Sequence, residues 1–93
     1  MINVKITKNS IDAEGHAENK YVCNTVSTLM WAMCVGMQRA NAKDLKVLEG
    51  DGKHTIEYAP EAQTKTIVNT FTECFIELAE EFPKEIKLRC SVG

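Results

Sequence analysis

Hydrophobic and polar residues alternate at both ends of the chain and recur at three- and four-residue spacing in two stretches between. Ile2, Val4 and Ile6 alternate with Asn3, Lys5 and Thr7, the period-two pattern of a strand with one buried face. It predicts a strand over Met1 to Lys8. Asn9-Ser10 is a turn signal. Ile11 to Ala17 returns as a weaker strand, with Ile11, Ala13 and Gly15 pointing one way and Asp12, Glu14 and His16 the other. A two-stranded hairpin is the simplest arrangement. Gly15 admits unusual backbone angles beside His16.

The pattern then changes period. Asn19 can cap a helix, and Val22, Val26, Leu29, Met30, Met33, Cys34 and Met37 form a helical apolar stripe. This predicts a helix to about Ala40, with Gly36 allowing close packing against the sheet. Asp44 to Glu49 reads as a third strand and Lys53 to Ala59 as a fourth, joined by the turn Gly50-Asp51-Gly52. Pro60 stops that strand and fits the first turn of a second helix. Between Glu61 and Glu81 the apolar positions Ile67, Val68, Phe71, Cys74, Phe75, Leu78 and Ala79 make the clearest amphipathic helix, which Pro83 ends. Lys84 to Val92 closes as a strand, with Ile86, Leu88, Cys90 and Val92 on one face.

The order is β-β-α-β-β-α-β. Single apolar stripes on the helices and single apolar faces on the strands predict an α+β fold of two layers, with both helices on one face of a mostly antiparallel sheet. Residues 1–93 form a single domain in this reading. The other sheet face is left for solvent or a partner, and a homodimer is the expected partner.

Composition narrows the function classes. Hydrophobic residues make up 44% and charged residues 26% of the 93 residues, an ordinary globular balance. The formal net charge is −2, so no general basic field exists for nucleic acid and no direct nucleic-acid binding is expected. The apolar run from Tyr21 to Met37 is interrupted by Asn24, Ser27 and Thr28, so no membrane crossing is expected, and the expected compartment is the cytoplasm. Cys23, Cys34, Cys74 and Cys90 include no C-x-x-C pair, which leaves zinc-ribbon and thioredoxin-type readings without support. No metal site and no cofactor are expected.

One constellation suggests chemistry. His16 falls at a predicted strand end and Cys23 near a predicted helix start, seven positions on. A free thiol has a pKa of about 8.5 and needs a base or a positive field to react near neutrality. A helix N-terminus supplies the field and an imidazole the base. Free cysteines are more often small buried hydrophobes; Cys34 and Cys74, on apolar stripes, fit that reading well, and Cys90 fits it in part. Ser27 shares a helix face with Cys23. It can bond the thiolate or line a pocket, or simply bond back to a carbonyl. Asp12, Glu14 and Glu18 are the candidate acids for orienting His16. The backbone N–H groups around Cys23 are a candidate oxyanion hole. His54 reads as a surface residue of a strand.

At these residues the chain resembles the ribosomal-processing cysteine protease family of Firmicutes and related bacteria, known as Prp. The matching motifs are Gly15-His16-Ala17, Val22-Cys23 and Val26-Ser27. The opening Met1-Ile2-Asn3-Val4-Lys5-Ile6 and the closing Glu80-Glu81-Phe82-Pro83-Lys84-Glu85-Ile86-Lys87 also resemble the family's ends. The resemblance implies a dimeric protease with a His16/Cys23 dyad and Ser27 near the nucleophile. It implies removal of a short N-terminal extension from large-subunit ribosomal protein number twenty-seven, cut beside aromatic residues, or from a phage capsid or scaffold precursor. Tyr21, and Met30 beyond it, are the candidate surfaces for such aromatic side chains. Two features depart from the family pattern. Only Ala17 to Val22 separate the histidine from the cysteine, where the family has a longer glycine-containing loop. Lys20 stands where the family has an aspartate; a cation there can favour a thiolate but cannot orient a histidine. The alternative reading is a catalytically impaired homologue that binds ribosomal or capsid precursors.

Overall fold

The computed structural model describes residues 1–91. Its elements are β1 (Ile2–Thr7), β2 (Ser10–Gly15), α1 (Lys20–Arg39), β3 (Lys46–Gly50), β4 (Lys53–Glu57), α2 (Ala62–Glu81) and β5 (Ile86–Ser91). The order is the one the hydrophobic pattern predicts. Its expected extension of the last strand to Val92 lies outside the described residues. Pro60 precedes the Glu61 cap of α2 rather than entering its first turn. There the buried Thr64 hydroxyl accepts from the Glu61 N–H at 2.9 Å.

The five strands form one sheet in the order β3-β4-β2-β1-β5. Every neighbouring pair is antiparallel except β1 and β5, which run parallel. The register places Ile2 beside Ile86 and Gly15, and Ile6 beside Ile11. Because side chains alternate along a strand, Ile2, Val4, Ile6, Ile11, Ala13, Ile56 and Ile86 gather on one buried face. Val22, Val26, Met30, Met33 and Met37 of α1 and Val68, Phe75 and Leu78 of α2 complete the core against it. The fold is the expected α+β two-layer arrangement.

Three details differ from the pattern reading. Gly36 does not meet the sheet; a side chain there would face Ile67 of α2 at 3.6 Å, so its small size lets the two helices approach each other. Met30 is completely buried and cannot receive a substrate side chain. Cys90 is exposed, because it lies late on β5, an edge strand of the sheet. No described helix is long and apolar enough to cross a membrane.

Candidate active site

The sheet and α1 meet at a cleft of about 150 Å³. Cys23, Val26 and Ser27 come from α1; Ala13, Gly15 and His16 come from β2 and the residue after it; Gly50, Gly52, Lys53 and His54 come from the β3–β4 hairpin. Backbone geometry brings these segments together. Gly15 adopts φ +105°, and a side chain there would overlap the Met1 carbonyl oxygen. Its N–H donates to the Gly52 carbonyl at 2.8 Å, and the Met1 nitrogen donates to the His16 carbonyl at 2.7 Å. Met1, just before β1, and the distant hairpin turn therefore fix the backbone at His16 and at the residue before it.

The His16 imidazole lies on the turn. A Cβ on Gly52 would sit 2.5 Å from His16 Nε2, so a side chain there would displace the ring from this position. Asp51 Oδ1 is 4.0 Å from the same nitrogen, and the His16 side chain is 69% exposed. Asp51, not an acid of the preceding strand, is therefore the carboxylate beside this histidine. Asp12 is turned to the other sheet face, where it accepts from the Thr55 hydroxyl at 2.7 Å. Glu14 lies with Asp12 on that face, and Glu18 is exposed, with its N–H donating to Glu85 Oε2.

Cys23 is half-buried. The Ala17 N–H donates to its sulfur at 3.2 Å, and the thiol can donate to the Ala17 carbonyl at 3.3 Å. Both polar groups of the Ala17 backbone thus hold the sulfur in place. No hydrogen bond joins the sulfur to the His16 ring among the described residues. The ring and sulfur share one cleft, and the exposed ring has room to turn about its side-chain bonds.

Asn19 is the helix cap, as its position predicts. Its side chain accepts from the Tyr21 N–H at 2.9 Å. Its carbonyl accepts from the N–H groups of Val22 at 3.1 Å and Cys23 at 3.3 Å. This corrects the expected oxyanion hole: the amides around Cys23 are already bonded inside the helix start. Lys20 is exposed at the first helical residue.

Ser27 lines the cleft one turn beyond Cys23, whereas Tyr21 is not part of its wall. The Tyr21 side chain is exposed and its ring tilts 45° against Phe82, with centroids 5.6 Å apart. His54 is where sequence reading missed a site residue. It is half-buried, not an open surface residue, and its Nε2 is 2.7 Å from Glu49 Oε1. No local sequence signal marks it. Its place follows from the pairing of β4 with β2, which sets His54 beside Ala13. Among the described residues, no three or more His, Cys, Asp or Glu side chains converge as metal ligands.

Comparison with known proteins bears on this site. The profile of the family described as "Cysteine protease Prp" matches residues 1–87. No curated protein matches the chain significantly. Among solved structures, the essential ribosomal processing protease Prp from S. aureus, in complex with a covalently linked product peptide, superposes with a TM-score of 0.85 at 20% identity, covering 98% of this chain and 100% of that one. The same protein with a substrate peptide gives 0.86 at 18% identity with the same coverage. A protein of Streptococcus mutans gives 0.75 at 21% identity, covering 99% and 96%. These likenesses show a shared fold; the profile match covers nearly the whole chain. The cleft that unites a helix-start thiol with an imidazole thus lies in a chain that belongs to the Prp family of cysteine proteases.

Proposed function

We propose that Cys23 is the nucleophile and His16 its base in an endopeptidase that trims a short N-terminal extension from a precursor protein. The observation that carries this reading is the shared cleft, with an amide already donating to the Cys23 sulfur. His16 takes the thiol proton, and the thiolate adds to the scissile carbonyl carbon. The carbon–nitrogen bond then breaks, and the leaving amine takes the proton back from His16. Water attacks the remaining thioester, its proton passing to His16, and returns the free thiol with a new carboxylate. Catalytic hydrogen bonds are often long or absent before substrate binds, and a peptide filling the cleft would turn the His16 ring from Gly52 toward the sulfur.

Ser27, on the cleft wall, would line the peptide's path, and the exposed Tyr21 ring, tilted against Phe82, is the surface proposed to meet an aromatic side chain of the substrate. The substrate to test first is large-subunit ribosomal protein number twenty-seven, with phage capsid or scaffold precursors as the second class. The S. aureus relative was solved with substrate and product peptides, which supports a peptide ligand here. The reaction belongs in the cytoplasm, where ribosomal precursors are made. Incubating the ribosomal precursor with the parent chain should shorten it at one site. Cys23→Ala should lose that cleavage, and His16→Ala should lose most of it. Cleavage by Cys23→Ala at the parental rate would refute the reading. A Cys23 that reacts with iodoacetamide like an ordinary thiol would favour a precursor-binding role instead.

A homodimer through the open sheet face is part of this proposal. Lys5, Lys87 and Arg89 lie on its β1–β5 side, and Asp12 and Glu14 on β2. A second copy turned by a two-fold axis sets the basic side of each against the acidic side of the other. Light scattering should give twice the chain mass at low salt and dissociation toward the monomer as salt is raised.

A further inference from the structure

Addition of a thiolate to a carbonyl places negative charge on the carbonyl oxygen, which needs preorganised donors aimed at it. At Cys23 the nearby helix amides do not supply them. The Val22 and Cys23 N–H groups both donate to the Asn19 carbonyl, and the Ala17 N–H donates to the Cys23 sulfur. Among the side chains of the cleft wall the donors are His16, Ser27, Lys53 and His54. His16 has the proton-transfer role in the reading above. Ser27 and Lys53 are exposed, and a solvated lysine on a flexible stem is poorly preorganised.

His54 differs from all of these. Its side chain is 22% exposed, and Glu49 holds its Nε2 at 2.7 Å. Glu49 and His54 are direct partners in the β3–β4 register, so the backbone ladder fixes carboxylate and imidazole together. His54 also pairs with Ala13, a buried residue of the helix-facing sheet surface. That places the imidazole across the cleft from Cys23 and Ser27. No hydrogen-bond partner holds its Nδ1 among the described residues.

We propose that His54, oriented by Glu49, donates a hydrogen bond to the oxygen of the scissile carbonyl as it becomes an oxyanion. The proposal rests on Cys23 being the nucleophile. As the sulfur–carbon bond forms, the carbonyl π pair moves onto oxygen. The His54 N–H holds that charge without giving up its proton. The pair returns to re-form the carbonyl when the carbon–nitrogen bond breaks. With hydrogen on both ring nitrogens, one N–H donates to Glu49 and the other is free for the substrate oxygen.

Two small reagents separate this role from the others. Acetylation of Cys23 by p-nitrophenyl acetate passes through an oxyanion; alkylation by iodoacetamide does not. Both rates are read by mass spectrometry on the Cys23-containing peptide of the intact protein. His54→Ala should slow acetylation by about 10- to 100-fold and leave alkylation within about twofold. His54→Gln, which keeps an N–H donor, should recover part of the loss, and Glu49→Gln should show a smaller loss of the same kind. Acetylation at the parental rate in His54→Ala overturns the proposal. So do equal losses of acetylation and alkylation in the His54→Gln and Glu49→Gln variants, which also decide the matter if His54→Ala does not fold. Failure of the dyad reading looks different: His16→Ala would then leave both rates at Cys23 unchanged.

Discussion

The His16 ring rests on the backbone of Gly52, thirty-six residues away in the chain, with 2.5 Å between Nε2 and the place a Cβ would occupy. The β3–β4 turn is therefore the seat of the imidazole. Gly52 also has φ +67°, a conformation that costs other residues about 1–2 kcal/mol. Gly52→Ala should lower unfolding stability by about that amount. In the proposed reaction the ring itself leaves this seat to reach the sulfur, so peptide cleavage by the folded variant should not fall. Denaturant titration and a cleavage assay give the two results. A fall of roughly tenfold or more would show the seated ring to be the working position.

Asp51 predicts a contrasting result. It is fully exposed and 4.0 Å from His16 Nε2, the regime in which ion pairs contribute little. Asp51→Asn should change the cleavage rate by no more than about threefold. A larger loss, with the pH profile of cleavage displaced, would show that Asp51 sets the protonation of His16.

Asn19 links stability to the nucleophile. Its side chain caps α1 through the Tyr21 N–H, and removing such a cap costs about 1 kcal/mol. Asn19→Ala should lower the unfolding free energy by that amount. It should also loosen the first helical turn that carries Cys23, seen as faster amide exchange at Tyr21 and Val22. Asn19→Ser should restore most of the stability.

Tyr58 governs behaviour in alkali. It is buried, its hydroxyl donates to the Thr7 carbonyl at 3.1 Å, and burial first and the Asp12 charge second push its pKa up to about 12. The neutral phenol is the form the fold favours. Its contribution is fully present below the unfolded tyrosine value of about 10 and is lost as pH rises through the folded value. Stability should therefore fall between about pH 10 and 12. Tyr58→Phe should flatten that fall while costing about 1 kcal/mol at neutral pH through the lost hydrogen bond.

The core gives a test of packing alone. Met33 is completely buried in the α1 stripe. Met33→Ala should destabilise by about 2–5 kcal/mol, with iodoacetamide reactivity of Cys23 unchanged under conditions where the variant stays folded.

The elements were legible because each follows a local period: Ile2, Val4 and Ile6 all lie inward, as do Val22, Val26, Met30, Met33 and Met37. The start of α1 and the end of α2 were legible for the same reason, as Asn19 and Pro83 act on their own neighbours. The environment of His16 was not. Alternation put Asp12 and Glu14 on one face with it, but the strand ends at Gly15, whose positive φ takes His16 out of the alternation. Gly52 and His54 reach the cleft, with Asp51 and Glu49 beside the two imidazoles, only because β4 pairs with β2, and long-range pairing leaves no trace in local spacing. Gly36 illustrates the same limit: a small residue on a helix signals a close approach, but not which element approaches.

The parallel pairing of β1 with β5 bears on when the enzyme can first act. Ile2 lines the cleft and pairs with Ile86, so that wall of the cleft is complete only once two segments far apart in the chain have met. Until β5 docks, β1 can pair only on its β2 side, and non-local closure of this kind comes late in folding. A chain with β5 undocked thus lacks the finished floor beneath its thiol, and competence to cut waits on that long-range pairing.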